Sequence, residues 1–243
     1  MVRQWDYAVV SANKQLLLGN VAAVDTAYSP NAVKFDGAND YLTRGADLTG
    51  IADSKSGIFS AWIRIDNDAN IRLLTSVTGL WRFNIVRGSG GGFSISGKNS
   101  AGTYILQLSS STVAASAKWY HLLGSWDLAA NASSLYINDV SDQTVTTRTN
   151  DTIDYATTTP NWAVGADTDG ATKGAHSISD LYFAPGQYLD FSVTANRRKF
   201  IDASGLPVSL GSDGSTPTGT APIVYLKGDS SAFGVNSGTG GNF

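Results

Sequence analysis

The sequence predicts an all-β protein in which two antiparallel sheets pack as a sandwich, with one short helix late in the chain. Three observations carry this. Short stretches of alternating, β-branched or aromatic residues recur along the 243 residues. Clusters of Gly, Asn, Asp and Ser separate them, and helical periodicity is scarce.

The first candidate strands, 32–35 and 41–43, flank an Asp36-Gly37 turn. A longer apolar stretch at 57–65 places Trp62 in the core. Strands at 72–76, 81–86 and 93–96 follow, the last after the Gly90-Gly91-Gly92 break. Those at 104–108, 119–126 and 134–137 lead to an Asn138-Asp139 turn. The remaining three, 161–164, 177–183 and 222–227, are set off by Asp169-Gly170 and Pro185-Gly186. Ser192 or Thr194 caps a helix through 195–201, and Gly205 stops it. Arg197, Arg198 and Lys199 then form a solvated helix face or, on a sharper reading, a contact for an acidic partner. Beyond Gly205 the composition turns to Gly, Ser, Thr and Pro, so 205–243 reads as loop, final strand and loose tail. The prediction is one domain over 1–243 with its core at about 32–201.

Composition excludes several functions. All twenty acidic residues are Asp, so any glycosidase or metalloprotease site built on glutamate is absent. There is no Cys, which removes disulfides, thiol nucleophiles and Cys-based metal sites. Only His121 and His176 are available for a triad or a His-rich metal site. A net charge of −3 argues against a nucleic-acid partner, and the hydropathy argues against membrane insertion. The first residues, Met1 to Asp6, lack the apolar core of a signal peptide, so export by that route is not expected.

Five stretches in order resemble the laminin-G-like, concanavalin A-like jelly-roll superfamily. Ala32-Val33-Lys34-Phe35-Asp36-Gly37-Ala38-Asn39-Asp40-Tyr41-Leu42 is similar to its entry strand, and Gly57 to Ile65 to its first long core strand. Lys118-Trp119-Tyr120-His121-Leu122-Leu123 running to Ser134-Leu135-Tyr136-Ile137-Asn138-Asp139-Val140 resembles its hairpin, with Asp139 where the family has Gly. Ala163-Val164-Gly165-Ala166 and Ile178 to Phe183 complete the set. The resemblance implies a jelly-roll sandwich. A second likeness covers Arg198-Lys199-Phe200-Ile201-Asp202, Gly205-Leu206-Pro207-Val208 and Gly214 to Leu226, which resemble the end of laminin-G-like modules in phage and prophage structural proteins. It implies a virion context, assembly in the host cytoplasm, and other virion proteins as partners.

Candidate sites are few. Asp167 and Asp169 place two carboxylates on alternate residues of a turn before Gly170, a beginning for a Ca2+ shell. They resemble ligand positions of the pentraxin branch, whose other half-site would fall at Thr78-Gly79 and is missing here. As ordinary turn-formers they need no metal. Trp81 follows Thr78-Gly79-Leu80, and Trp126 and Trp162 lie at strand ends beside Asp127 and Asn161, where a ring can stack on a sugar; packing at the edge of the core is the plainer reading of each. His176, near the two aspartates, is a candidate ligand or rim residue.

The reading is a non-enzymatic phage virion surface or tail-associated module, homo-oligomeric, that binds a host-surface glycan. Three alternatives stay open: a structural decoration protein without a sugar ligand, a cellular calcium-dependent carbohydrate-binding or adhesion module, and a polysaccharide-cleaving enzyme.

Overall fold

The computed structural model describes residues 28–76, 81–156 and 161–243. Two antiparallel sheets of seven strands form the expected sandwich. The first sheet runs β1 (Val33–Phe35), β13 (His176–Pro185), β3 (Ser56–Ile65), β8 (Trp119–Asp127), β9 (Ala132–Ile137) and β10 (Val140–Ser141), and β14 (Val224–Leu226) also pairs with β13. The second runs β11 (Thr144–Arg148), β7 (Tyr104–Ser109), β6 (Phe93–Lys98), β5 (Phe83–Arg87), β4 (Ile71–Ser76), β12 (Trp162–Val164) and β2 (Leu42–Thr43).

Every strand expected from the sequence is present, with ends moved by at most two residues. β10 and β11 were not expected. β11, Thr-Val-Thr-Thr-Arg, lies at a sheet edge with its first three residues exposed, so it needs no apolar face and shows no alternation. The interior is built from alternate residues of facing strands: Phe59, Ala61, Ile63 and Ile65 of β3 meet Phe83, Ile85, Ile95, Leu106 and Leu108 of the second sheet. Along β13 the inward set changes parity, from His176 and Ile178 to Leu181 and Phe183. A bulge between Ser179 and Tyr182 accounts for the change.

The late helix is shorter than expected. α1 spans only Thr194–Arg197, Val193 stands at its N-cap without a side-chain bond, and 198–200 continue as turns. Ser192 does not cap it, and its own N–H donates to Asp190. Nor is the basic triplet a solvated face. Arg197 Nε donates to Asp139 Oδ1 at 2.6 Å, and Arg198 donates to Oδ2 at 2.7 Å. Lys199 Nζ donates to the Pro217 carbonyl. The physical reason is a second, smaller core on the outer face of the first sheet. There Phe191, Phe200 and Leu210 pack on Ile58, Leu123, Tyr182 and Tyr225, and the arginines clamp this layer to the β9–β10 turn.

The tail is not loose. Asn236 is buried, accepts from the Tyr225 N–H and donates to the Ile223 and Gly241 carbonyls. Gly240 donates to the Ile223 carbonyl and accepts from the Thr49 N–H, while Arg44 holds the Asn242 carbonyl. The glycines here serve close approach: a Cβ on Gly238 would stand 2.5 Å from the Pro222 oxygen.

Candidate functional site: the outer face of the second sheet

Two of the three tryptophans expected to meet a ligand belong to the core. Trp126 and Trp162 are fully buried, in a ring cluster around Phe83 that includes Tyr155 and Phe183. Trp126 Nε1 donates to Tyr155 Oη at 3.1 Å, and Trp162 Nε1 to Asp47 Oδ1 at 3.3 Å. Both sit on inward positions of their strands, which strand-end placement in sequence does not reveal. His176 is corrected in the same way. Its ring is fully buried, stacks on Phe35 at 4.9 Å, and uses Nδ1 on the Gly174 carbonyl. Burial pushes its pKa down to about 4, so it is neutral and shielded from solvent.

The two aspartates do not share a metal shell. Asp167 is buried, and its Oδ1 lies 2.9 Å from Arg72 Nε. Asp169 is exposed and accepts from the Ala171 N–H, closing the turn. A calcium ion at Asp167 would have to displace a guanidinium, and among the described residues no group of three metal-ligating side chains gathers anywhere. The donor set therefore does not fit Ca2+. The half-site position at Thr78-Gly79 lies outside the described residues.

Trp81 is the exception among the three rings. It is half-buried, at φ 35°, and the Arg72 guanidinium stacks 5.2 Å from its centre. Its Nε1 has no hydrogen-bond partner among the described residues. Asp167, Arg72 and Trp81 thus form a stack in which the carboxylate orients the guanidinium and the guanidinium braces the indole.

This stack stands at one side of a polar surface. Because Phe83, Ile85, Ile95, Leu106 and Leu108 point into the core, their neighbours point out. The register lines those neighbours up across all seven strands: Thr43, Ala163, Thr75, Asn84, Ser96, Gln107 and Thr147. Ala163, Thr75 and Asn84 are buried, so the row reaches solvent at Thr43 and at Ser96, Gln107 and Thr147. A second row runs Arg72, Val86, Ser94, Ser109 and Thr144. The first row is internally ordered. Ser96 Oγ donates to Asn84 Oδ1 at 2.5 Å, and Thr147 Oγ1 to Gln107 Oε1 at 2.9 Å. Hydroxyls and amides held this way present donors and acceptors at low entropic cost. Neither row contains a carboxylate, so the acid–base pair of glycoside hydrolysis has no counterpart within them. Sequence reasoning missed Asn84, Ser96 and Gln107. Their signal was the polar alternate of each strand, but only the pairing register joins those alternates into a row.

Residues 36–183 match the family described as the Concanavalin A-like lectin/glucanases superfamily. None of the curated proteins matches the chain. Among solved structures, a "putative carbohydrate binding protein" from Bacteroides ovatus shares the fold with a TM-score of 0.53 and 13% identity. The match covers 77% of this chain and 49% of that one. The receptor binding domain of botulinum neurotoxin mosaic serotype C/D shares it with a TM-score of 0.50 and 16% identity, over 70% of this chain and 41% of that one. A SAP-like pentraxin from Limulus polyphemus gives 0.48 and 14%, over 65% and 76%. At these identities the likeness is one of fold. With the family matched over most of its length and both sheets of the sandwich in place, the chain belongs to the concanavalin A-like lectin/glucanase superfamily.

Proposed function

We propose that this chain is a non-enzymatic glycan-binding module of a phage virion surface or tail, and that the sugar lies across the outer face of the second sheet. The observation that carries the reading is the half-buried row Ser96, Gln107 and Thr147, ordered by the bond from Ser96 to the buried Asn84 and from Thr147 to Gln107, with the braced Trp81 ring beside it. The row supplies hydrogen-bond partners for hydroxyls, and the indole supplies a face for the CH groups of a pyranose. The superfamily description supports a lectin-like role. The virion context is supported by the likeness of 198–226 to phage structural modules, a segment that packs here as part of the sandwich.

The test is an array of bacterial surface glycans probed with the purified chain. A selective hit is expected, weakened at least tenfold by Trp81→Ala and by Gln107→Ala. A blank array at high protein concentration, or a hit that neither substitution affects, counts against the reading. Detection of the chain by mass spectrometry in purified phage particles tests the virion context, and absence from them refutes it.

Self-association is the second reading. Among the described residues β11 has no partner on one edge of the second sheet, and the exposed Val145 lies on it, with the exposed Val140 on β10. Such an edge invites pairing with a second copy. Light scattering should give more than one chain per particle, falling to one in Val145→Lys. A monomeric parent protein would refute it.

A further inference from the structure

β1 pairs with residues 176–178 of β13 and β14 with 181–183, so Ser179 and Asp180 face a gap between the two short strands. Residues 28–31, which lead into β1, meet the sheet at this gap. Among the described residues no backbone bond ties them to it. Two side-chain bonds hold them instead. Tyr28 Oη donates to Asp180 Oδ1 at 3.1 Å, and Ser179 Oγ donates to the Asn31 carbonyl at 2.6 Å. Residues 28–31 also line a cavity of about 410 Å³, together with Gly228, Ala232 and Ser237 among others. They form a strap that borders open space on that side, so its hold on the sheet is local.

Asp180 is a poor anchor while it carries a charge. It is 3% exposed, and the bulge holds it at φ 49°, a strained conformation for a non-glycine residue. Its Oδ1 also lies 3.5 Å from Tyr225 Oη, but Oδ2 has no partner among the described residues. No cation among the described residues pairs with it, and Lys227 donates its Nζ to the Gly211 and Ser212 carbonyls. A buried carboxylate with one bare oxygen and no counter-ion costs more than the same carboxyl carrying a proton. Lifting the strap admits water and relieves that cost.

We propose that residues 28–31 are a pH-sensitive strap, closed on the seam while Asp180 carries a proton and lifting more often as that proton is lost. Opening uncovers the edge of β13 between its two short partners. The device belongs to the first sheet and does not depend on the function proposed above for the second.

The groups facing Asp180 are Tyr28 on the strap, Tyr225 on β14 and Lys227 just beyond it. Ser60, Ala61 and Trp62, opposite the bulge on β3, do not titrate. Burial pushes both phenols well above their ordinary range, so neither ionises between pH 4.5 and 7.5. Burial also raises the Asp180 carboxyl from 3.8 to about 6, outweighing the Tyr28 bond and the Lys227 charge, which favour the ionised form. A carboxyl that titrates near 6 when covered and near 3.8 when wet stabilises the closed strap fully below pH 3.8. That contribution is lost as pH rises through 6.

The experiment uses a thiol under the strap. The chain has no cysteine and Ser179 is fully buried, so Ser179→Cys supplies a single reporter. Its reaction with a dipyridyl disulfide is followed at pH 4.5 and 7.5. Dividing by the rate of the urea-unfolded chain at each pH cancels the ionisation of the thiol. The ratio should rise at least fivefold from pH 4.5 to 7.5, within a limit of about 25-fold set by the covered and wet values of the carboxyl. Adding Asp180→Asn should make it independent of pH, and adding Tyr28→Phe should raise it at least threefold at both pH values. Global unfolding has the opposite sign, because the buried His121 and His176 destabilise the whole fold on acidification. Ser125→Cys, buried on β8, reports that process. Should Ser179→Cys fail to fold, Ala32→Cys carries the same test, and should Asp180→Asn fail, the pH series and Tyr28→Phe decide the matter. A ratio that stays flat or falls with pH, a rise shared by Ser125→Cys, a rise retained in Asp180→Asn, or no change in Tyr28→Phe would each overturn the proposal.

Discussion

Gly57 lies against the indole of Trp126 so closely that a Cβ on the glycine would stand 2.3 Å from Cζ2 and 2.6 Å from Cε2. The indole cannot retreat, because it is fully buried against Phe83 and tied to Tyr155. Gly57→Ala is therefore expected to overpack the core and cost about 1–3 kcal/mol. Urea unfolding followed by tryptophan fluorescence measures it, and a midpoint equal to that of the parent protein would contradict this packing.

Arg72 and Asp167 decide the calcium question. With the guanidinium at 2.9 Å from the carboxylate, calcium should leave the melting temperature unchanged, and so should chelator. Arg72→Ala strands a buried carboxylate and unbraces Trp81, at a cost of about 3 kcal/mol. Differential scanning calorimetry in both buffers checks both statements. A calcium-dependent rise in the parent protein would show that a metal competes successfully with Arg72.

Acidification should destabilise the protein well before its carboxylates are all protonated. Burial pushes His121 down to about 3 and His176 to about 4, against 6.5 unperturbed. Below pH 6.5 the unfolded chain binds protons that the folded chain refuses, so stability falls with pH toward 4. Asp180 works the other way. Its carboxyl is raised to about 6 from 3.8, so the folded chain holds the extra proton between those values. Two histidines against one aspartate leave about one proton of net slope, or about 1.4 kcal/mol per pH unit below pH 6. Denaturant titrations from pH 7 to 4.5 should show that loss, and His121→Gln should flatten it. A constant midpoint over this range would be inconsistent with neutral buried imidazoles.

The C-terminal glycine-rich segment should prove indispensable. Ending the chain at Gly234 removes Asn236, which satisfies the Tyr225 N–H and the Ile223 carbonyl, and exposes the edge of β14. A loss of several kcal/mol is expected, since each buried group left without a partner costs about 1–3 kcal/mol. Asn236→Ala should cost a similar amount per bond with the chain otherwise whole. A truncated chain that melts with the parent protein would show these bonds to be dispensable.

Strand positions were legible in the sequence because β-branched and aromatic residues and turn glycines act locally, as the 57–65 and 93–96 stretches illustrate. Composition alone also removed glutamate, cysteine and most histidine chemistry. Facing and partnership were not legible. Trp81, Trp126 and Trp162 look alike at strand ends, yet only Trp81 reaches the surface, because inward and outward positions are set by register against other strands. The same holds for charge. Asp167 looks like a metal ligand until β12 brings it beside β4 and Arg72, and Arg197 and Arg198 look solvated until Asp139 meets them across the second core. Asp180 is one aspartate among twenty in the sequence; a bulge and two strands that stop short of each other give it a cavity. Local propensity determines where this chain forms strands, while long-range pairing alone decides which side chains are buried, which charges are neutralised and where a ligand can enter.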